Sequence, residues 1–135
     1  MYIYKRKAQY HETDKMGVIH HSNYVKWMEE ARIEYTESVG ISFTAYDAAG
    51  IFSPIISVAL EYKRPLHFGD EVDIAVSVAK YNGTVLELAY VFTNAATGEV
   101  CTTGTTRNCF VRDGRVVSLK KAFPEEDLKL RALVE

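Results

Sequence analysis

The sequence predicts an α+β fold in which one long amphipathic helix precedes a run of antiparallel strands. Two observations support this prediction. Apolar residues recur at helical spacing between Ser22 and Val39, and apolar and polar residues alternate along much of the chain from Val58 to Val117. Strands grouped after a helix are typical of an antiparallel sheet. We therefore expect the sheet to curl around the helix and bury its apolar face there.

The helix is predicted from about Ser22 to Val39. Placed at 100° per residue, its apolar positions form one stripe about 120° wide, suited to burial. Ser22 or Asn23 can cap the start, and Gly40 stands where a glycine commonly ends a helix. The stripe consists of Tyr24, Trp27, Met28, Ala31, Tyr35, Ser38 and Val39.

Strands are predicted on both sides of this helix, the first over residues 2–9. Asn82-Gly83 indicates a two-residue hairpin, and Thr97-Gly98 and Asp113-Gly114 indicate further turns. Pro124 and the acids after it are typical of the start of a final helix. The predicted buried strand positions are Val58, Leu60, Tyr62, Val72, Ile74, Val76, Val78, Leu86, Leu88, Tyr90 and Phe92.

Composition narrows the function classes. The 135 residues suit one domain spanning 1–135, with 47% hydrophobic and 25% charged residues. A net charge of −2 argues against nucleic acid as a partner, because phosphate binding usually requires a basic domain. No secretory signal and no transmembrane run of ~18 apolar residues is apparent, so we expect a cytoplasmic protein. Cys101 and Cys109 are expected to be reduced core thiols.

The segment from Tyr10 to Tyr24 carries the residues suited to catalysis. It places Asp14, Gly17, His20 and His21 immediately before the predicted helix. A helix start offers unpaired backbone N–H groups and partial positive charge, which suit a developing oxyanion. A carboxylate close by can attack a carbonyl or activate water. Adjacent histidines diverge in direction and no thiolate or carboxylate set accompanies them, so no metal site is expected.

This segment resembles the 4-hydroxybenzoyl-CoA thioesterase family of hotdog-fold proteins, which includes the Tol-Pal-associated acyl-CoA thioesterases. The resemblance covers about residues 4 to 120 and is most specific over residues 10–32. The matching motifs are Thr13-Asp14, Gly17-Val18-Ile19, His21, Asn23-Tyr24, Glu29-Glu30-Ala31-Arg32, Tyr62-Lys63-Arg64-Pro65 and Gly69-Asp70.

The resemblance implies a single hotdog domain that hydrolyses an acyl-CoA thioester. Asp14 would be the nucleophile or general base, and the backbone N–H of His21 would polarise the carbonyl. Coenzyme A is part of the substrate, so no separate cofactor or metal is expected. The implied catalytic residues are Asp14 and His21, and the implied substrate-binding residues are Gly17, Val18, Asn23, Tyr24, Lys63 and Arg64.

Several alternatives stay open. A hydratase or dehydratase on the same fold would pair His20 or His21 with Glu29 or Glu30, and a non-catalytic acyl-CoA-binding protein is a third function. Lys63 and Arg64 can hold phosphates or belong to an ordinary solvated surface. Because a lone sheet would leave a strand edge unpaired, the family solution implies a homodimer or homotetramer.

Overall fold

The computed structural model describes the backbone of residues 1–135 and every side chain except that of Phe43. A short 3₁₀ turn, Tyr10–Glu12, lies between the first strand and the long helix. The elements in chain order are β1 Tyr2–Lys7, α1 Ser22–Ser38, α2 Phe43–Ala48, β2 Ile51–Phe52, β3 Ile55–Tyr62, β4 Glu71–Tyr81, β5 Val85–Asn94, β6 Val100–Cys109, β7 Val111–Arg112, β8 Arg115–Val116, α3 Leu119–Ala122 and α4 Pro124–Leu133. The predicted α+β class is confirmed.

The main sheet has five strands in the order β1-β4-β5-β6-β3, and all neighbours are antiparallel. Strands β4, β5 and β6 follow one another as a meander. Strand β3 precedes them in sequence but pairs with β6, so it forms one edge of the sheet while β1 forms the other. A small second sheet joins β2, β7 and β8.

Helix α1 packs its apolar stripe against one face of the main sheet. Trp27 and Ala31 are fully buried in the same cluster as the inward residues of β4 and β5. Each fully buried aliphatic side chain of such a core stabilises the fold by about 1.5–3 kcal/mol. The predicted stripe is confirmed except at Ser38, which is exposed. Three polar residues within α1 are also buried, Asn23, Arg32 and Thr36.

The predicted alternation on β4 and β5 is confirmed, whereas the prediction for β3 is wrong. Leu60 is half-buried, but Val58 and Tyr62 are 41% and 49% exposed because β3 is an edge strand. Gly104 of β6 brings β3 close. A Cβ at Gly104 would lie 2.8 Å from Leu60 Cδ2 and 2.9 Å from the backbone carbonyl oxygen of Ala59, and because a backbone atom cannot easily move aside, glycine is needed for β3 to approach this closely.

The hairpin at Asn82-Gly83 is present, but its tip is Gly83-Thr84. The Asn82 N–H donates to the Val85 carbonyl at 3.3 Å, and Gly83 takes the positive φ of 95°. Asn82 Oδ1 accepts the N–H groups of Thr84 and Val85, which shifts the turn by one residue. The turn at Asp113-Gly114 is confirmed, with φ angles of 52° and 73°.

The final helix is confirmed, with Pro124 in its first turn. It packs on β4 through Asp127, whose carboxylate accepts hydrogen bonds from Tyr81 and Arg131. Cys101 and Cys109 are buried and unbridged, as predicted. Within the described part of the chain, every helix is too short or too polar to cross a bilayer.

Candidate active site

A buried carboxylate anchors the loop that leads from β1 to α1. Glu12 is 4% exposed, and its Oε1 accepts the Gln9 N–H at 2.8 Å. Its Oε2 accepts Nε1 of Trp27 at 2.8 Å and a guanidinium N–H of Arg6 at 2.9 Å. The charge is therefore paired and hydrogen-bonded, as a buried carboxylate requires. Sequence reasoning missed Glu12, since no local motif separates it from a surface acid.

Asn23 ties the first turn of α1 to the same loop. Its Nδ2 donates to the carbonyl of Glu12 at 2.9 Å and to that of His20 at 3.3 Å. The His20 N–H also reaches the Glu12 carbonyl, at 2.8 Å. Asn23 is buried, and it orients the peptide that precedes His21 without lining the cleft described below.

Asp14 lies in a tight turn that its own side chain stabilises. Its Oδ1 accepts the Met16 N–H at 2.8 Å, and its backbone carbonyl accepts the Gly17 N–H at 3.0 Å. The Asp14 N–H donates to the backbone carbonyl of Val18 at 2.9 Å, and this bond closes the turn. Gly17 adopts φ +80°, a conformation that favours glycine, and this permits the turn. Gly17 is not among the residues that line the cleft described below.

The connection between β3 and β4 lies against this loop. The Ile19 N–H donates to the Leu66 carbonyl at 2.8 Å, and Val18 forms a β-bridge with His67. This pairing brings the segment after β3 next to Asp14. Together they enclose a cleft of about 290 Å³, lined by Asp14, Val18, Ile19, His21, Tyr24, Tyr62, Lys63, Arg64 and Pro65.

The backbone N–H of His21 is available at the start of α1. Among the described residues, no hydrogen bond from this N–H is found, whereas the next N–H, that of Ser22, is bonded to His20 Nδ1 at 3.1 Å. The His21 carbonyl accepts the Tyr62 hydroxyl at 3.3 Å. Asp14 and His21 therefore line the same cleft, and the backbone N–H of His21 is without a hydrogen-bond partner among the described residues.

Two tyrosines form the apolar wall of the cleft. The rings of Tyr24 and Tyr62 meet edge to face with centroids 5.0 Å apart, and Tyr24 also packs on Phe92. Burial raises the pKa of Tyr24 to about 12, although the Thr102 hydroxyl opposes this shift. Tyr24 is thus a neutral phenol at physiological pH and cannot serve as a base there. Tyr62 was predicted as a buried strand position and as part of a motif, and its place in the cleft was missed.

Positive charge borders the cleft. Arg64 forms an exposed ion pair with Glu99, with Nε 2.6 Å from Oε2. No ion pair of Lys63 is found among the described residues, and Lys63 is exposed. The backbone N–H groups of Lys63 and Arg64 both donate to the Cys101 carbonyl, and these bonds fix the segment at the end of β3.

The helix acids considered as alternatives have partners elsewhere. Glu30 Oε1 accepts the Tyr4 hydroxyl at 2.8 Å and the Arg6 Nε–H at 3.0 Å. Glu29 is exposed and lies 3.8 Å from Arg32. Neither lines the cleft that contains Asp14 and His21. Among the described residues, no group of three or more His, Cys, Asp or Glu side chains can hold a metal ion.

A model of the thioesterase-like superfamily matches residues 8–130 of this chain. The chain belongs to this superfamily. A relative described as a putative acyl-CoA thioesterase, YneP of Bacillus subtilis strain 168, is 30% identical over 129 residues, which cover 93% of each chain. The family membership confirms the predicted enzyme class, a thioesterase.

Solved structures agree with this assignment. A DHNA-CoA thioesterase from Staphylococcus aureus is 33% identical, with a TM-score of 0.90 over 96% of this chain and 90% of that one. A second S. aureus protein, SAV2348, solved in complex with CoA, is 14% identical and shares the fold, with a TM-score of 0.86 over 98% of this chain and 85% of that one. These likenesses confirm the predicted hotdog fold, in which an antiparallel sheet packs against one long helix.

Proposed function

We propose that this thioesterase hydrolyses an acyl-CoA thioester to a free acid and coenzyme A in the cleft beside α1. The observation that carries the proposal is that Asp14 and His21 line the same cleft while the His21 N–H makes no hydrogen bond within the described residues. The name of the B. subtilis relative supports coenzyme A as the leaving group. The motif over residues 10–32 supports placement in the 4-hydroxybenzoyl-CoA subfamily, with its Tol-Pal-associated members.

Asp14 supplies the carboxylate for the attack on the thioester carbonyl. Its Oδ1 is held by the Met16 N–H, and no hydrogen bond to Oδ2 is found among the described residues. Oδ2 can therefore accept a proton from water as the water oxygen bonds to the carbonyl carbon. Alternatively, a carboxylate oxygen attacks the carbon itself, forming a mixed anhydride that water then hydrolyses. In both routes the C–S bond breaks and water supplies the new oxygen. In the first route the departing thiolate takes the proton that Asp14 accepted from water, and in the second it takes a proton from solvent.

The His21 N–H stabilises the negative charge that develops on the carbonyl oxygen. It lies at the start of a 17-residue helix, where the macrodipole adds partial positive charge. Preorganised donors of this kind act only when charge develops, and each is worth about 10²–10³ in kcat. The imidazole of His21 is not required for this role, because the donor belongs to the backbone.

Lys63 and Arg64 are suited to the phosphates of coenzyme A. Both border the cleft, and Arg64 forms an ion pair with Glu99 in which both side chains are exposed. Exposed ion pairs contribute only about 0–1 kcal/mol, so a phosphate can replace Glu99 at little cost. Val18, Tyr24 and Tyr62 then surround the thioester, while Gly17 and Asn23 hold the surrounding backbone.

The arrangement favours hydrolysis over hydration or dehydration. A hydratase would need a helix acid facing a histidine, but Glu30 is held by Tyr4 and Arg6 and Glu29 lies outside the cleft. A non-catalytic binding protein would not need a carboxylate beside an unoccupied oxyanion donor. The expected homodimer or homotetramer, the single domain, the absence of a cofactor and the cytoplasmic location remain predictions.

The proposal is tested by initial rates of thiol release from a panel of acyl-CoA esters. The panel contains short and long aliphatic groups and hydroxylated aromatic groups, the last because of the DHNA-CoA thioesterase neighbour. We expect saturable thiol release from at least one class. Hydration of crotonyl-CoA is monitored by the loss of its absorbance. Hydration without thiol release would instead assign the cleft to a hydratase.

A further inference from the structure

His20 makes contacts at the start of α1 that the proposed reaction does not use. Its Nδ1 lies 3.1 Å from the backbone nitrogen of Ser22 and 2.8 Å from Ser22 Oγ. A backbone N–H can only donate, so Nδ1 is the acceptor, and the neutral ring carries its proton on Nε2. His20 therefore satisfies one of the N–H groups that a helix start leaves unpaired, a role usually filled by Ser, Thr, Asp or Asn.

Tyr62 holds the other end of the same peptide. The Ser22 N–H and the His21 carbonyl belong to one planar unit, and the Tyr62 hydroxyl lies 3.3 Å from that carbonyl. The rings of His20 and His21 also lie against each other, with centroids 4.1 Å apart and planes inclined by 30°, so these adjacent histidines do not diverge as expected from the sequence. The peptide after His21 is thus fixed at both ends by side chains from two separate segments.

This arrangement leaves the His21 N–H unoccupied. The preceding peptide is held through the His20 carbonyl, which accepts the backbone N–H of Asn23 at 3.0 Å and its side-chain amide at 3.3 Å. The peptides on either side of the His21 α-carbon are therefore anchored, yet the His21 N–H itself makes no hydrogen bond within the described residues. A cap that bound the His21 N–H itself would remove the donor.

We propose that His20 is a positioning residue, whose Nδ1 cap on Ser22 orients the backbone N–H of His21 for catalysis. This inference rests on the proposed function, because it assigns that N–H to the developing oxyanion. It predicts that the imidazole of His20 can be replaced by another acceptor that reaches the Ser22 N–H. It also predicts an effect on kcat greater than that on KM, since the donor acts in the transition state.

The test compares His20→Ala with His20→Asn, using thiol release from the best substrate of the panel. For His20→Ala we expect kcat to fall roughly 10- to 100-fold, as small displacements of a catalytic group do, with KM within about 2-fold of wild type. Asparagine is a good cap, so His20→Asn should recover kcat to within about 3-fold of wild type. His11→Ala, an exposed histidine on the same loop, is the control and should leave both constants unchanged.

Amide exchange of Ser22, measured by NMR, reports the cap independently of activity. We expect faster exchange in His20→Ala and wild-type protection in His20→Asn. Unchanged kcat in His20→Ala, or an inactive His20→Asn with a protected Ser22 amide, would overturn the positioning role alone. A wild-type protein that releases no thiol from any ester would overturn the proposed function, and the catalytic role of the cap with it.

Discussion

Glu12 Oε2 accepts the indole N–H of Trp27 at 2.8 Å and so joins the active-site loop to the centre of α1. The same oxygen accepts an N–H of Arg6. In Glu12→Gln, an amide NH₂ would face one or more of these donors. We expect the free energy of unfolding to fall by about 2–3 kcal/mol, because buried donors lose a charged acceptor. Urea unfolding measures this change.

Glu30→Gln is the matched comparison for Glu12→Gln. Glu30 also accepts hydrogen bonds from Arg6 and Tyr4, but its side chain is 40% exposed. Its replacement should lower the unfolding free energy by no more than about 1 kcal/mol. Equal losses in the two variants would show that Glu12 is not the anchor of the loop.

Asp127 gives a pH-dependent contribution to stability. Burial disfavours its charged form, but hydrogen bonds from Arg131 and Tyr81 outweigh burial and hold its pKa below the usual 3.8. The unfolded chain then binds a proton more readily than the folded one, so this stabilisation is present above about pH 4 and is lost as the pH falls through the lowered pKa. Asp127→Asn should therefore cost about 2 kcal/mol at pH 7, and the cost should decrease progressively as the pH falls below about 4. Thermal unfolding at several pH values tests this, and a difference independent of pH would contradict it.

The two edges of the main sheet differ in character. Strand β1 carries Lys5, Arg6 and Lys7, which discourage edge pairing, whereas β3 exposes Ile55, Ile56 and Val58. We therefore expect a dimer or a dimer of dimers that associates through β3. Val58→Asp should shift the protein towards monomer in sedimentation velocity, while Ile3→Asp on β1 should not. A stable, active wild-type monomer at micromolar concentration would contradict this expectation.

The ring of His21 should contribute little to catalysis. His21→Ala removes the imidazole but retains the backbone N–H and the helix start. We expect kcat to fall by about 10-fold or less, against roughly 10²–10⁴ for loss of an essential acid or base. Steady-state thiol release measures the difference. If His21→Ala is folded but as inactive as Asp14→Asn, the ring itself takes part in the reaction.

Periodicity predicted the fold because burial follows the repeat of each element. The stripe on α1 and the alternation on β4 and β5 each report one buried face. The exposure of β3 could not be predicted in this way. An edge strand has the same alternation as a central one, and its position depends on pairing with β6, whose partner residues lie 40 to 53 positions further along the chain.

The candidate site was predicted in part. The motif indicated Asp14, His21 and Tyr24 as site residues, and all three line one cleft in the structure. Glu12 was missed, and His20 was considered only as a possible hydratase histidine, because the contacts of both residues depend on geometry. The Glu12 carboxylate anchors the loop because Trp27 and Arg6 converge on it, and His20 caps α1 only through the direction of its ring.

The most direct test of the account is the kcat of Asp14→Asn in thiol release, beside that of Glu30→Gln. Asparagine keeps the Oδ1 acceptor for the Met16 N–H, so the turn should persist and thermal unfolding should resemble that of the wild type. We predict that kcat falls roughly 10²–10⁴-fold in Asp14→Asn and remains near wild type in Glu30→Gln. Full activity in Asp14→Asn together with loss of turnover in folded Glu30→Gln would contradict the account and move the catalytic carboxylate to α1.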